Sequence, residues 1–396
     1  MADQHEIIAI FNAGSSSLKF SIYDGETALY QGLIDRLGTA GSGACRSVIK
    51  GADRIPIFDG QILAKNHEEA LDWLLGWLDQ QPNKVRPAAI GHRVVHGGDE
   101  FTAPARITDE VLAKLKKLTP LAPLHQPHCL APILYFKQRL PDLLQVACFD
   151  TAFHATQSRI ERMYALPEDY FARGIKRYGF HGLSYEFIAG RLAALDSRAA
   201  QRRTIVCHLG NGASLCALSA GRSVATTMGF TPLDGIPMGT RSGSISADVV
   251  LHLQRQDNMS VEQMSDLLYH RSGLLGISGI SADMRDLLAS PEASAAEAVE
   301  YFCYRTAREI GSLVATLGGL DALVFTAGIG EHAPKIRARI VEWTRLLGLI
   351  IDAEANQANR SAIHAPASAV QILVIPTDEE LMICRHTRHL RNNVAR

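Results

Sequence analysis

The sequence predicts an α/β protein of two domains, and three observations lead to that reading. Apolar runs with strand character alternate with amphipathic helical patterns along the chain. At 396 residues the chain is longer than one hydrophobic core usually organises. A strand, a turn of small polar residues and a second strand occur at Phe11 to Leu18, and again at His208 to Leu215. Laid on one another, the two stretches place Ser17 on Ser214 and Leu18 on Leu215, which points to an ancient duplication of one unit.

The first unit opens with IIAIFNAGSSSLKFSIYDG, from Ile7 to Gly25, a hairpin whose turn is Asn, Gly and three serines. Segments around Leu29 to Ile34, Arg46 to Ile49 and Ile55 to Phe58 read as further strands separated by Gly-rich turns. Asn66 with Glu69 makes a capping-box start for a helix Glu68 to Leu78, with Leu71, Leu74, Leu75 and Leu78 on one face. Ala88 to Val95 reads as a strand, and Thr108 caps a helix Val111 to Leu118. Four prolines between Thr119 and Pro132 predict a rigid loop before the next helix. Leu143 to Phe149 is a buried strand ending at Asp150, where the domain boundary is expected. After Thr204 to Leu218, helices are expected near Ser246 to Gln254, Val261 to His270 and Ala295 to Leu317. A strand Ala322 to Phe325 then runs into a third glycine turn at Gly328-Ile329-Gly330-Glu331. A helix Lys335 to Leu347, a buried strand Val370 to Ile375 and a basic surface helix from Arg385 follow.

Apolar residues make up 47% of the chain, charged residues 20%, and the formal net charge is -1. That composition argues against disorder and offers no electrostatic case for nucleic acid or an anionic membrane, leaving small molecules as the expected partners. Seven scattered cysteines without a CxxC pair fit buried free thiols and a reducing cytoplasm. MADQHEIIAI has no basic leader region, and no apolar run is long enough to span a bilayer.

The turn after Phe11 reads either as an ordinary hairpin or as a phosphate cradle. Small residues let backbone N–H groups approach an anion, serine hydroxyls add donors, and Lys19 supplies a point charge. It is not a Walker loop, because Leu18 to Ile22 continues as a strand. Further glycine turns favour the cradle. Phosphoryl transfer also needs cations around the moving group and acidic groups for Mg²⁺. Arg93 in GHRVVHGG, Arg241 in MGTRSG and His181 in YGFHG are each flanked by glycines, and Asp150 and Glu379 end buried strands. A zinc hydrolase built on His92/His96 or His125/His128 is a third reading, although HExxH is absent.

Taken together, FNAGSSSLKF at Phe11, GHRVVHGG at Gly91, APLHQPH at Ala122, FDTAFH at Phe149, YGFHGLS at Tyr178, HLGNGAS at His208, MGTRSG at Met238, FTAGIGE at Phe325 and PTDEEL at Pro376 resemble the acetate kinases. These form the acetokinase family, within the superfamily that also holds actin, sugar kinases and heat-shock chaperones. The resemblance runs essentially end to end. It implies two duplicated ribonuclease H-like (actin-like ATPase) domains with a central cleft. The N-terminal acceptor-side domain would span 1–150, with the tail 385–396 packing on it, and the C-terminal nucleotide-binding domain 151–384. It further implies reversible, Mg²⁺-dependent transfer of the ATP γ-phosphoryl group to acetate by direct in-line displacement, giving acetyl phosphate and ADP. Mn²⁺ is a possible substitute, and a cytoplasmic homodimer is expected.

By the same resemblance, Asn12 and Glu379 hold the metal, and Arg93 orients the carboxylate. His181 and Arg241 stabilise the transition state, and Asp150 is the acid, base or metal-positioning group. Val95, Leu124, His125, Phe180 and Pro232 surround the acceptor. Lys19, His208, Leu209, Gly210, Asn211 and Gly212 contact phosphates, while Asp283, Met284, Arg285, Gly328, Ile329, Gly330, Glu331 and His332 lie on the adenosine side. A carboxylate is already ionised at neutral pH and needs no general base, so Asp150 is better read as an organiser. Arg93 and Arg241 are expected to matter for turnover and not for folding. Propionate or another short-chain acid is an alternative acceptor, and a non-catalytic nucleotide-gated binding protein is a further alternative. Two departures border the site: Gly243-Ser244-Ile245-Ser246-Ala247 stands where the family usually has Gly-Asp-Ile-Asp-Pro, and His332 where it usually has Asn.

Overall fold

A computed structural model describes residues 6–37, 44–81, 85–195 and 202–394. The Gly-rich stretch 38–43 and the last two residues of the expected tail lie outside the described residues. The chain forms two compact units, Met1–Ala152 with Asp378–Arg396, and Phe153–Thr377.

The first unit is built on strands β1 (Ile7–Ala13), β2 (Ser17–Asp24), β3 (Thr27–Asp35), β4 (Ala44–Lys50), β5 (Pro56–Leu63), β6 (Ala89–Val94), β7 (Ala105–Arg106) and β8 (Leu144–Phe149). They form one sheet in the order β5-β4-β3-β2-β1-β6-β8-β7. The first five strands pair antiparallel, while β6 lies parallel to β1 and β8 parallel to β6. Every residue of β1 is buried, as expected of a strand covered on both faces. The predicted leucine face of helix His67–Asp79 supplies Leu71, Leu74 and Leu78 to a core shared with Phe11, Leu18, Phe20 and Phe136. Burying each such side chain stabilises the fold by about 1.5 to 3 kcal/mol. Asn66 caps that helix as the sequence suggests, accepting the Glu69 N–H at 2.9 Å.

The second unit carries β9 (Arg203–Leu209), β10 (Ala213–Ser219), β11 (Arg222–Thr226), β12 (Ala322–Thr326) and β13 (Gln371–Val374), ordered β11-β10-β9-β12-β13. The antiparallel triplet followed by two parallel strands repeats β3-β2-β1-β6-β8, so the duplication is written in the strand order. The ungapped match of the two turns does not survive. Ala13 pairs with Leu18, but Leu209 pairs with Ala213, so the second turn is one residue shorter. Leu18 is the first paired residue after its turn, whereas Leu215 pairs with Cys207 further along, and the two are not equivalent.

Three other expectations are corrected. Helix Gln126–Arg139 begins inside the proline segment, because Pro127 sits in the first turn, where its missing N–H is no loss. Pro132 lies within the same helix. The third glycine turn is a short helix, Ala327–His332. The basic tail is neither a separate piece from Arg385 nor a surface helix. One helix, Glu379–Val394, buries Ile383, Cys384 and Thr387, and belongs to the first unit from Asp378 onward. Gly91 on β6 makes the close approach possible, since a Cβ there would lie 2.4 Å from Thr387 Oγ1. All seven cysteines are buried and free.

Candidate active site

In the first unit the parallel strands β1, β6 and β8 lie side by side, so residues at their C-terminal ends converge. Arg93 sits there with its guanidinium forked onto Asp150. Nε donates to Oδ1 at 3.0 Å and Nη2 to Oδ2 at 2.5 Å, while Nη1 donates to Asn12 Oδ1 at 3.1 Å. The Asp150 side chain is 2% exposed and that of Arg93 is 21% exposed. Burial alone would favour loss of the Arg93 proton, but the Asp150 and Glu379 charges and the Asp150 hydrogen bond outweigh it and raise the pKa.

Glu379 opens the helix Glu379–Val394, and its carboxyl is pushed up to about 7. Burial is the main cause, Asp150 and Glu380 add to it, and Arg93 and Lys19 oppose it. In metal-free protein the fold therefore keeps a proton that the unfolded chain releases from about pH 4.5. Stability from this group is present below that value and is lost as pH rises through about 7. Glu379→Gln should accordingly be more stable than the parent at pH 8, by about 3 kcal/mol, and no different near pH 4. Thermal melts in EDTA check this, and coincident melts at pH 8 would contradict it.

Asn12, Glu379 and the neighbouring Asp150 offer the amide and carboxylate oxygens that Mg²⁺ prefers, and a crowded acid whose charge a divalent cation would relieve. Mg²⁺ usually takes one or two carboxylates together with substrate phosphates, so the donor set fits an ion arriving with a nucleotide. Among the described residues, no group of three or more His, Cys, Asp or Glu side chains is arranged to hold a metal by itself. Of the histidines in the zinc reading, His92 and His96 each spend one ring nitrogen on the fold. His92 Nε2 bonds Gln145 Oε1 at 2.8 Å, and burial lowers its pKa to about 3. His96 Nδ1 accepts the Gly98 N–H at 2.9 Å.

Of the acceptor residues, Val95 is buried just after β6, Leu124 is exposed, and His125 precedes helix Gln126–Arg139. Phe180 and Pro232, both buried, belong to the second unit. Sequence reasoning missed what supports this region. Gln126 is fully buried, and its amide donates to the carbonyls of His96 and Leu115 while accepting the His96 N–H. Cys129 lies under Arg93, sharing a hydrogen bond with the Val95 backbone, and burial raises its pKa. Neither role is visible locally, since each joins residues distant in sequence.

In the second unit the turn between β9 and β10, Gly210-Asn211-Gly212, is the meeting point. A Cβ on Gly212 would lie 3.4 Å from His181 Nε2 and 3.8 Å from Arg241 Nη1, so both groups border the turn. Arg241 Nη1 donates to the Pro232 carbonyl at 3.0 Å. The Gly239 N–H donates to the Asn211 carbonyl at 3.1 Å, tying the arginine loop to the turn. His181 has φ of 59°, a left-handed conformation that non-glycine residues rarely hold without compensation. Gly179 nearby has no room for a Cβ, which would lie 2.7 Å from the buried ring of His154. His154 Nε2 donates in turn to the Phe180 carbonyl at 2.9 Å.

A cavity of about 830 Å³ opens beside the same turn. Gly210 and Asn211 line it from the turn, Asp283, Met284 and Arg285 from a second segment, and Gly328, Ile329 and His332 from a third. Three stretches far apart in sequence thus share one wall, and the volume is in the range of small-molecule sites. Asp283 caps helix Met284–Ala289 through the Arg285 N–H and pairs with the Arg285 guanidinium at 2.6 Å. Lys19 is in the other unit; His208, Leu209, Gly212, Gly330 and Glu331 do not line the cavity. Glu331 instead accepts the Ala327 and Thr377 N–H groups. Lys335 and Gln357, which the sequence did not suggest, do line it. Arg337 underpins this wall. It is fully buried, donates to the Gly330 and Glu331 carbonyls and to Asn356, and burial lowers its pKa to about 10. Of the two departures, His332 is on the cavity wall, whereas Ser244 hydrogen-bonds Asp234 elsewhere in the unit.

Two α/β units sharing one strand order, the second with a glycine turn and a nucleotide-sized cavity, define a duplicated ribonuclease H-like fold of the actin-like ATPase class. The model of the acetokinase family matches residues 7–385. The chain is 48% identical over 391 residues to the acetate kinase of Rhodopseudomonas palustris (strain TIE-1), covering 97% of this chain and 98% of that one. Its structure superposes on the crystal structure of a propionate kinase from Francisella tularensis with a TM-score of 0.91, at 36% identity, covering 97% and 99% of the two chains. For Porphyromonas gingivalis acetate kinase the TM-score is 0.87, at 32% identity, covering 98% and 100%. The chain belongs to the acetokinase family.

Proposed function

We propose that this protein is an acetate kinase, moving the γ-phosphoryl group of ATP reversibly onto acetate to give acetyl phosphate and ADP. The observation that carries this reading is the Arg93 guanidinium held by Asp150 and Asn12 at the strand ends of one unit, in a chain whose other unit sets His181 and Arg241 beside a glycine turn. The acceptor carboxylate is itself the nucleophile, so the protein has to bring two anions together and spread the charge that develops.

Arg93 binds the acceptor carboxylate, and Asp150 fixes the plane of its guanidinium without exchanging a proton. Val95, Leu124 and His125 are the acceptor-contact residues of the first unit, and Phe180 and Pro232 those of the second. Backbone N–H groups of Gly210 to Gly212 take the phosphates, with Lys19, His208 and Leu209 in support. His181 and Arg241 donate to the equatorial oxygens of the moving group, where hydrogen bonds are strongest in the transition state. The nucleoside occupies the cavity between Asp283 to Arg285 and Gly328 to His332. Asn12 and Glu379 would hold Mg²⁺, which neutralises phosphate charge when bound; Mn²⁺ satisfies the same oxygen donors.

Seven buried free thiols fit a reducing cytoplasm. Helix Ala247–Gln256 buries none of its residues and leaves Val249 and Leu251 exposed, in keeping with a homodimer. No described helix is long and apolar enough to cross a membrane.

Trapping with hydroxylamine tests the reaction. ATP, Mg²⁺ and acetate should yield acetyl hydroxamate, and bound ATP without hydroxamate would favour a nucleotide-gated regulator. The likeness to a propionate kinase keeps propionate as a second acceptor. One methylene in an apolar pocket is worth about 1 to 3 kcal/mol, so kcat/KM for propionate should fall about 10-fold or more below acetate. A higher value for propionate reverses the preference.

A further inference from the structure

The rings of His181 and His208 are stacked, 4.2 Å apart and 20° from parallel. Each has Nδ1 on a fully buried serine hydroxyl, His181 on Ser214 at 2.9 Å and His208 on Ser184 at 2.8 Å. Behind each serine stands a second hydroxyl, Tyr185 at 2.5 Å from Ser214 Oγ and Thr377 at 2.9 Å from Ser184 Oγ.

At Ser214 the direction of this relay follows from acidity. A phenol is a far stronger acid than an alcohol, so in the short contact the Tyr185 O–H donates and Ser214 Oγ accepts. A serine has a single proton to give, and the acceptor left for it is His181 Nδ1. The imidazole proton then resides on Nε2, the nitrogen nearest the glycine turn, where a Cβ on Gly212 would lie 3.4 Å away. A bare lone pair at that place would repel a phosphoryl oxygen, whereas an Nε2–H donates to it.

We infer that Ser214 and Tyr185 are positioning residues that hold His181 neutral, with its proton on Nε2, as a hydrogen-bond donor aimed at the anion in the Gly210–Gly212 turn. This assignment rests on the phosphoryl-transfer reading of His181 given above. The relay also secures a ring whose own backbone is strained at φ of 59°.

Ring-nitrogen NMR of the full-length ¹⁵N-labelled protein tests it, with the His181 signals assigned by their loss in His181→Gln. The parent should show Nε2 protonated and Nδ1 bare. In Ser214→Ala, and in Tyr185→Phe, which keeps the ring volume, that single tautomer should be lost. Turnover should then fall about tenfold or more while KM for ATP stays within about twofold, as for other imidazoles deprived of an orienting partner. A parent protein with the proton on Nδ1 overturns the assignment, and so do variants that keep both the parent's His181 shifts and its kcat. The parent spectrum decides the matter even where a variant fails to fold. It needs no turnover, so a parent that forms no acyl phosphate refutes the functional reading and leaves the tautomer to be judged separately.

Discussion

Arg241→Ala is expected to lower turnover about 10³-fold while leaving the unfolding midpoint in urea within experimental scatter of the parent. Transferring a phosphoryl group between two anions leaves charge on three equatorial oxygens, and an arginine aimed at them is worth about 10³ to 10⁵ in kcat. Arg241 is only part-buried, and its Nη1 donates to the neutral Pro232 carbonyl at 3.0 Å. Arg241→Lys should recover little, because an ammonium cannot present the planar fork. Turnover near the parent's in Arg241→Ala would remove it from the machinery.

Arg93→Ala should lose turnover at least as severely and should also lose stability, by about 3 kcal/mol. The sequence suggested an arginine that matters for turnover and not for folding; its ion pair with Asp150 predicts a cost in stability as well. Its fork satisfies Asp150, a carboxylate with almost no access to water, so truncation leaves an uncompensated buried charge. Pairing the change with Asp150→Asn should restore much of the stability and none of the activity. Urea melts and kcat of the two single variants and the double variant separate the effects, and full stability of Arg93→Ala on its own would contradict this account of the pair.

The legible parts of the molecule were those written in short-range pattern. Helix His67–Asp79 declares itself through Asn66 and four leucines, and β1 through an unbroken apolar run. Glycine-bracketed residues such as Arg93, His181 and Arg241 stood out because the chain was otherwise free to place bulk beside them. What failed depended on neighbours far away. Pro127 looks like a helix breaker until its place in the first turn is known, and the tail looks like a surface helix until Gly91 opens a path for it onto β6. The contributions of Lys335 and Gln357 to the cavity wall, and of buried Arg337 behind it, have no motif, since each side chain is recruited by packing. The one-residue difference between the two turns is invisible without strand register, which is why an ungapped match misled on Leu18 and Leu215.

In the proposed reaction the acceptor carboxylate attacks phosphorus directly, with Arg93, His181 and Arg241 stabilising the transfer and no protein side chain forming a phosphorylated intermediate. ATP made chiral at the γ-phosphorus with oxygen isotopes, turned over once with acetate, tests this through the configuration of the acetyl phosphate formed. One in-line displacement predicts inversion; retention would require an intermediate on the protein and would contradict the account.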